Sequence, residues 1–375
     1  MNFRKLDVTE HGKTRALWEE VFPEDTKAFL DYYYEVKTRD NEIYVAENDN
    51  GEICSMLQLN PYQMQMGQAS FMSHYIIAVA TKLDYRKKGL MRELLKRAMQ
   101  DMYRQKEIFT FLMPAAEAIY LPFDFRYIYN QAQGRIKGKQ SKKTTGRIVE
   151  ATEKNCQEMV LFGQEHLKPY QIYTKRDYNY YSVLIKEQIS ENGGMMLIYH
   201  KDELVGMFAY AKGEEVEIRE PLVKVGYEAD FLHAIYQLTG DEEIEVKCIG
   251  LNESVKGNEM HPCIMARVLH PELLLEALKA KRDLNFTINL EDPIILENHK
   301  CFHITAKAGE YIKVAPVGEW DDVDHIPVAA LTSFLFGYKN LEEISAEYKM
   351  TFKKETVQNL ENIGVFSQIF LNEVV

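Results

Sequence analysis

Arg86-Lys-Lys-Gly-Leu-Met-Arg92 opens a stretch of helical periodicity shortly after the apolar run Tyr75-Ile-Ile-Ala-Val-Ala80. A strand feeding a basic, glycine-containing turn at a helix start has the makings of an anion site. Free backbone N–H groups and the helix dipole face the ligand, and Gly89 lets it approach the main chain closely. A pyrophosphate fits such a turn, although a basic first turn on an ordinary exposed helix would read the same way. The glycines follow neither GxGxxG nor GxxxxGK[ST], so hydride and phosphoryl transfer lose their usual support. Ten histidines are scattered, and the closest pair, His299 and His303, has no third ligand nearby, so no metal is expected. Cys54, Cys156, Cys248, Cys263 and Cys301 form no CxxC pair and read as reduced, buried thiols.

The elements that would position the turn occur twice. Arg4-Lys-Leu-Asp-Val-Thr-Glu leads into a helical pattern over Thr14 to Phe22, and Arg147-Ile-Val-Glu-Ala-Thr-Glu leads into another over Asn155 to His166. Hairpin patterns follow in both halves, Glu42 to Glu47 with Ile53 to Leu59, and Met195 to His200 with Leu204 to Tyr210. Strand, helix and strand then recur: Ser73 to Ala80, Gly89 to Tyr103 and Ile108 to Met113, against Val216 to Val223, Glu228 to Leu238 and Glu243 to Ile249. Two copies of one α/β unit are therefore expected, at 1–140 and 141–265, with a third α+β domain at 266–375. Gln133 to Thr145, polar and basic, suits an exposed connection between the copies. In the second copy the turn reads Glu220-Pro-Leu-Val-Lys-Val-Gly-Tyr-Glu-Ala-Asp, whose acids at the helix start would repel an anion.

Bulk properties narrow the partners. The 375 residues carry 45 Lys+Arg against 57 Asp+Glu, a net charge of −12, which disfavours nucleic-acid or membrane-surface binding and suits a cationic substrate. With 46% hydrophobic and 27% charged residues the chain can bury a real core. No stretch approaches 18 apolar residues and the start lacks an apolar leader, so a cytoplasmic protein is expected.

The motif Arg86-Lys-Lys-Gly-Leu-Met resembles the [QR]-x-x-G-x-[GA] acyl-CoA pyrophosphate loop of the GCN5-related N-acetyltransferases, and Thr81-Lys-Leu-Asp-Tyr-Arg resembles the segment leading into it. Met91 departs from the usual small residue. That bulky residue, the duplicated unit and the third domain resemble the multidomain enhanced intracellular survival branch, whose last domain is similar to sterol carrier proteins. Leu331-Thr-Ser-Phe-Leu-Phe-Gly-Tyr338 is the string most like that domain, and as chemistry it reads as core packing.

The resemblance implies acetyl-CoA as co-substrate. Val79, Ala80 and Thr81 would meet its pantetheine arm through main-chain groups, and Arg86, Lys87, Lys88, Gly89, Leu90, Met91 and Arg92 would wrap its pyrophosphate. Ala115 and Ala116 lie at the next contact, because Ala116-Glu-Ala-Ile-Tyr120 resembles the family's A-x-x-x-Y segment. Tyr120 would then be the general acid that protonates the departing thiolate. Phe123-Asp-Phe125 stands where the family has an aromatic-Gly-aromatic turn, so Asp124 departs from the family's pattern and the sequence does not fix the backbone shape there. The resemblance also assigns the base to the C-terminal carboxylate, here Val375, and the apolar ending of Gly364 to Val375 suits a tail tucked into the protein. Glu373 and Glu117 are the alternative carboxylates.

The resulting expectation is an α/β (α+β) protein of tandem acetyltransferase-like mixed-sheet domains followed by a small sterol carrier protein-like domain. It would acetylate a primary amine of a cationic small molecule, aminoglycoside- or polyamine-like, by direct attack from a cleft between the units. The alternatives are acetylation of a peptide or protein lysine and a non-catalytic module for hydrophobic ligands or proteins. Homo-oligomers, with a hexamer as one form, are implied by the resemblance. The tyrosines at 170, 173, 178, 180 and 181 would line an amine pocket or a subunit interface.

Overall fold

The computed structural model describes residues 1–140, 146–213, 216–240, 242–248, 256–318 and 322–373. The first part of the chain forms β1 (Asn2–Lys5), α1 (Arg15–Val21), α2 (Lys27–Glu35), β2 (Glu42–Glu47), β3 (Ile53–Met66), β4 (Ala69–Thr81), α3 (Leu90–Arg104), β5 (Phe109–Leu112), α4 (Glu117–Tyr120) and β6 (Arg126–Lys137). The second part repeats the plan with β7 (Arg147–Glu150), α5 (Cys156–Leu167), β8 (Ile172–Thr174), α6 (Tyr178–Ser190), β9 (Gly194–His200), β10 (Glu203–Lys212), β11 (Val216–Val223), α7 (Glu228–Thr239) and β12 (Glu243–Cys248).

These strands belong to one sheet of 14, twelve of which run in the order β1-β2-β3-β4-β5-β13-β6-β12-β11-β10-β9-β7, where β13 is Lys256–Val268, while β8 pairs off this path with β3 and with Ile369–Phe370 of the tail. The strand β13 returns from beyond the second copy and lies between β5 and β6 of the first, with Met265 opposite Leu112 on one side and Tyr127 on the other. The expected exposed connection is corrected at its start. Gln133 to Lys137 are the end of β6, paired with β12 from Lys137↔Glu243 to Gln133↔Lys247, while 141–145 lie outside the described residues.

Local patterns account for the layers around this sheet. In α3, Leu90, Leu94, Leu95, Ala98, Met99 and Met102 are buried, an apolar stripe at helical spacing that seats the helix on the sheet. In β3, residues 54–60 are buried on both faces and burial alternates from Pro61 onward. Pro61 is tolerated there because β2 ends its pairing at Glu42↔Leu59, so no neighbour on that side needs a proline N–H.

The third part adds α8 (Pro271–Glu276), β14 (Lys279–Ala280), β15 (Leu284–Glu291), β16 (Lys300–Ala306), β17 (Lys313–Val317), β18 (Asp324–Pro327), α9 (Val328–Leu335), α10 (Leu341–Tyr348), α11 (Lys354–Glu361), β19 (Ile363–Gly364) and β20 (Ile369–Phe370). Its four-stranded sheet runs β17-β16-β15-β18, and every residue of α9 is buried, so the string around Leu331 is core. The third part packs on the first, with Phe336 edge-on to Phe109 at 5.3 Å. Cys54, Cys156, Cys263 and Cys301 are buried thiols. No helix among the described residues is long and apolar enough to cross a membrane.

Candidate active site

The strands β4 and β5 are parallel and pair at one position, Tyr75↔Phe111. Past it β4 continues to Thr81 while β5 ends at Leu112, and a bulge turns β4 away. Met56 faces Ala80 and Gln58 faces Ile77, so Leu57 alone opposes Ala78 and Val79. Ala78 takes φ +50°, a left-handed conformation unusual for a residue with a side chain. The strands therefore diverge into a wedge, and the main chain of Val79, Ala80 and Thr81 forms one of its walls, on the side where β4 has lost β5.

Beyond Thr81 the chain passes through Leu83–Tyr85 into the turn, where Lys87 (φ +60°) and Gly89 (φ +81°) take left-handed conformations and α3 begins at Leu90. Arg86, Lys87, Lys88, Gly89 and Arg92 are exposed, whereas Leu90 is buried and Met91 partly so in the core beneath α3. Arg86 Nε donates to Thr81 O at 3.1 Å, and Lys88 Nζ lies 4.7 Å from the Tyr85 ring. No side chain caps Gly89. A Cβ there would meet nothing within 4 Å, so the space over the first turn is open. A pyrophosphate fits this cradle: four cationic side chains stand around uncapped amides at a helix N-terminus.

Ala115 and Ala116 are exposed and lead into α4, which ends at Tyr120. The Tyr120 ring is 7% exposed, sits edge-on to Phe125 at 5.9 Å and shares the core cluster of Leu90, Met91 and Val79. The wedge wall, the helix start and the phenol thus come together. Burial pushes the Tyr120 hydroxyl up to about 12, so it holds its proton at neutral pH. Asp124 does adopt the left-handed turn, at φ +63°, which aspartate tolerates better than most residues.

A cavity of about 540 Å³ opens between the first two parts of the chain, walled by the segment Val36 to Asp40 that follows α2, by β3, α6, β8 and β11, and by the C-terminal tail. Tyr62 forms its boundary toward the wedge, edge-on to Tyr75 at 6.3 Å and against Phe111 at 6.2 Å, the two residues at the wedge's apex. Lys37 Nζ donates to Tyr62 Oη at 3.3 Å and lies 4.5 Å from its ring. The charged side chains buried in the lining are Glu187, Glu220 and Glu373. The lining cations, Lys37, Arg39, Lys175, Lys186 and Arg219, are half-buried or exposed. Glu220 and Glu373 share the buried Arg176, so the interior keeps an excess of carboxylates over buried cations while the rim carries both signs. Glu187 accepts from Tyr32 Oη and from Gln188 Nε2, each at 3.2 Å, and burial pushes its carboxyl up to about 7.

The tail is docked. Ser367 N and Gln368 N donate to Gln171 Oε1 at 2.8 and 3.1 Å, β20 pairs with β8, and Gln131 Nε2 donates to Asn372 Oδ1. Glu373 Oε1 accepts from the buried Arg176 at 2.7 Å. Among the described residues Glu373 Oε2 has no hydrogen-bond partner. Val375 lies outside the described residues, two positions beyond Glu373, and Glu117 is exposed on α4. Of the tyrosine group, Tyr180 lines the cavity, Tyr181 is core, and Tyr178 is exposed.

Sequence reasoning missed Tyr62, Lys37, Arg176, Glu187 and Glu220 as site residues. A single Arg or Glu in a chain so rich in charge gives no signal, but Asp177 does mark the start of α6 by accepting from Tyr180 N at 2.8 Å. Among the described residues no group of three or more His, Cys, Asp or Glu could hold a metal ion.

Residues 2–128 match the acetyltransferase (GNAT) domain family, and residues 272–368 match the sterol carrier protein domain family. The chain thus carries both domains; GNAT domains use acetyl-CoA, and the protein is an N-acetyltransferase. A comparison with curated proteins gives no match. Among solved structures, a probable N-acyltransferase from Enterococcus faecalis superposes with TM-score 0.85 at 16% identity, covering 100% of this chain and 99% of the other. A GCN5-related N-acetyltransferase from Anabaena variabilis gives 0.78 at 15% and Eis1 from Mycobacterium abscessus 0.72 at 13%, each with full coverage of both chains. At these identities the likeness is one of fold.

Proposed function

We propose that this chain, with its acetyltransferase (GNAT) and sterol carrier protein domains, transfers the acetyl group of acetyl-CoA to a primary amine of a cationic small molecule, polyamine- or aminoglycoside-like. The observation that carries the reading is the cavity. Its lining buries three carboxylates against the one buried guanidinium of Arg176, its volume suits a small molecule, and Tyr62 stands between it and the apex of the wedge. In this reading residues 1–140 form the catalytic unit, 141–265 a degenerate copy that walls the cavity, and 266–375 the third domain whose tail reaches the site. A cytoplasmic homo-oligomer, with a hexamer as one form, belongs to the same reading.

The chain's own residues divide the work. Arg86, Lys87, Lys88 and Arg92, with the main chain of Gly89, Leu90 and Met91, hold the pyrophosphate. The free edge of Val79, Ala80 and Thr81 aligns the extended arm, and Ala115 and Ala116 flank it. An ammonium has no lone pair, so the Val375 carboxylate takes one of its protons, while Glu373 Oε2 and Glu187 hold the acceptor's cationic charge. The nitrogen attacks the thioester carbon directly, the C–S bond breaks, Tyr120 gives its proton to the sulfur, and the second proton that the nitrogen sheds on becoming an amide restores the phenol.

Titration calorimetry with acetyl-CoA tests the reading without an acceptor. We expect micromolar, salt-sensitive binding that Arg86→Glu abolishes, followed by thiol release with spermine or neomycin in preference to a lysine peptide. Absence of acetyl-CoA binding would overturn the proposal. Faster release with the peptide would replace the acceptor class.

A further inference from the structure

The two copies share a backbone irregularity that has been put to different uses. In the first, Leu57 opposes Ala78 and Val79, with Ala78 at φ +50°. In the second, Met207 faces Leu222 and Ala209 faces Arg219, so Phe208 alone opposes Glu220 and Pro221, and Glu220 takes φ +45°. A non-glycine residue held left-handed persists only when its surroundings fix it. At the first bulge the residue is a small alanine beside the wedge. At the second it is a buried glutamate, and the acids Glu228 and Asp230 at the start of α7 leave no anion site for the bulge to serve.

Glu220 is instead gripped by Arg176. Nε and Nη2 each donate to one oxygen of Glu220 at 3.0 Å, and the remaining nitrogen, Nη1, donates to Glu373 Oε1 and Thr174 O, both at 2.7 Å. The guanidinium also lies 4.5 Å from the Tyr180 ring and 5.2 Å from that of Phe370, a tail residue. One side chain therefore holds the tail at two points and ties both to the bulge. Two buried carboxylates share one buried cation, and the oxygen left over, Glu373 Oε2, belongs to a residue that lines the cavity.

We propose that Arg176 is a positioning residue for acetyl transfer: through Glu220 it takes its place from the bulge of the second copy, and through Glu373 and Phe370 it sets where Ile369 to Glu373 stand against the acceptor cavity. The proposal rests on the function proposed above. It gives the second copy a part in the reaction, since a planar guanidinium with five donors can satisfy both carboxylates at once, whereas an ammonium acts as a point charge.

Two variants test it. Glu220→Gln keeps the shape but turns one acceptor into a donor facing the guanidinium, and Arg176→Lys removes the fork. Each should speed amide hydrogen exchange at Ile369 to Glu373 by about ten-fold or more, as expected for a weakened buried charge pair, without changing exchange in β4 or α3. With spermine as acceptor, kcat should fall by about ten-fold or more while the KM and Kd for acetyl-CoA stay put, since the displaced residues face the acceptor cavity and not the cradle at α3. Tail exchange unchanged in Glu220→Gln overturns the anchor. Faster exchange with an unchanged kcat overturns its catalytic role, as does a kcat loss that tracks loss of acetyl-CoA affinity. If Arg176→Lys does not fold, Glu220→Gln, of the same volume, carries the test. A wild-type protein that binds acetyl-CoA but acetylates neither spermine nor neomycin overturns the acceptor reading and the positioning role with it, while the exchange measurement still decides whether Arg176 holds the tail.

Discussion

Glu187→Gln should stabilise the protein at pH 8 and do progressively less as the pH falls to 5. The buried carboxyl rises from 4.5 to about 7, chiefly through burial and despite the opposing pull of Lys37. At 1.36 kcal/mol for each pH unit, that rise is worth about 3 kcal/mol. Because the folded state holds the proton more tightly than the unfolded one, the native protein binds more protons across this window, and its stability declines as pH increases. Below about 4.5 the carboxyl is protonated in both states and the penalty vanishes; above about 7 it is fully present. Glutamine is neutral throughout and its carbonyl can still accept from Tyr32, so any lost hydrogen bond adds only a pH-independent offset. For 375 residues at 2.1 cal/mol/K each, the unfolding entropy is about 0.8 kcal/mol/K, so the pH-dependent part comes to about 4 °C in Tm. If the domains unfold separately, the transition that includes α6 carries the change. Thermal unfolding followed by fluorescence at pH 5, 6, 7 and 8 for both proteins gives the difference directly. A Tm difference that stays flat with pH, or widens toward pH 5, would refute the assignment.

Tyr120→Phe should leave acetyl-CoA affinity intact and cut turnover by about 10²-fold, the scale of lost acid catalysis, as read by calorimetry and thiol release in parallel. Unchanged turnover removes Tyr120 from its role. Deleting Val374 and Val375, or extending the chain with a C-terminal tag, should suppress turnover with acetyl-CoA binding retained; a fully active tagged protein would rule out the terminal carboxylate as base.

The basic turn that opens α3 was legible because it is consecutive: Arg86 to Arg92 declare themselves over seven residues, as does the short path through α4 to Tyr120. The order of strands and helices in the second part was legible too, since strand and helix periods are local, and Val216–Val223 falls where the pattern puts it. The cavity was not, because Glu187, Glu220 and Glu373 come from α6, a bulge and the tail, and only tertiary packing assembles them. Nor was the continuation of β3 through Pro61, which reads as a strand end until the early stop of β2 is known. The helix α6 hid behind its tyrosines, whose number suggested a surface, although Asp177 supplied a cap.

The return of β13 into the first sheet bears on how the molecule is made. Until residues 256–268 have left the ribosome, β5 and β6 have no strand between them, so the first part of the chain must wait for the second to be synthesised before its sheet can close. A chain cut short near residue 140 would leave that gap unfilled, two bare strand edges side by side, and would be prone to pair with its neighbours and precipitate. Residues 2–128, which match the acetyltransferase domain, thus lack a strand that their own sheet takes from more than a hundred residues further on.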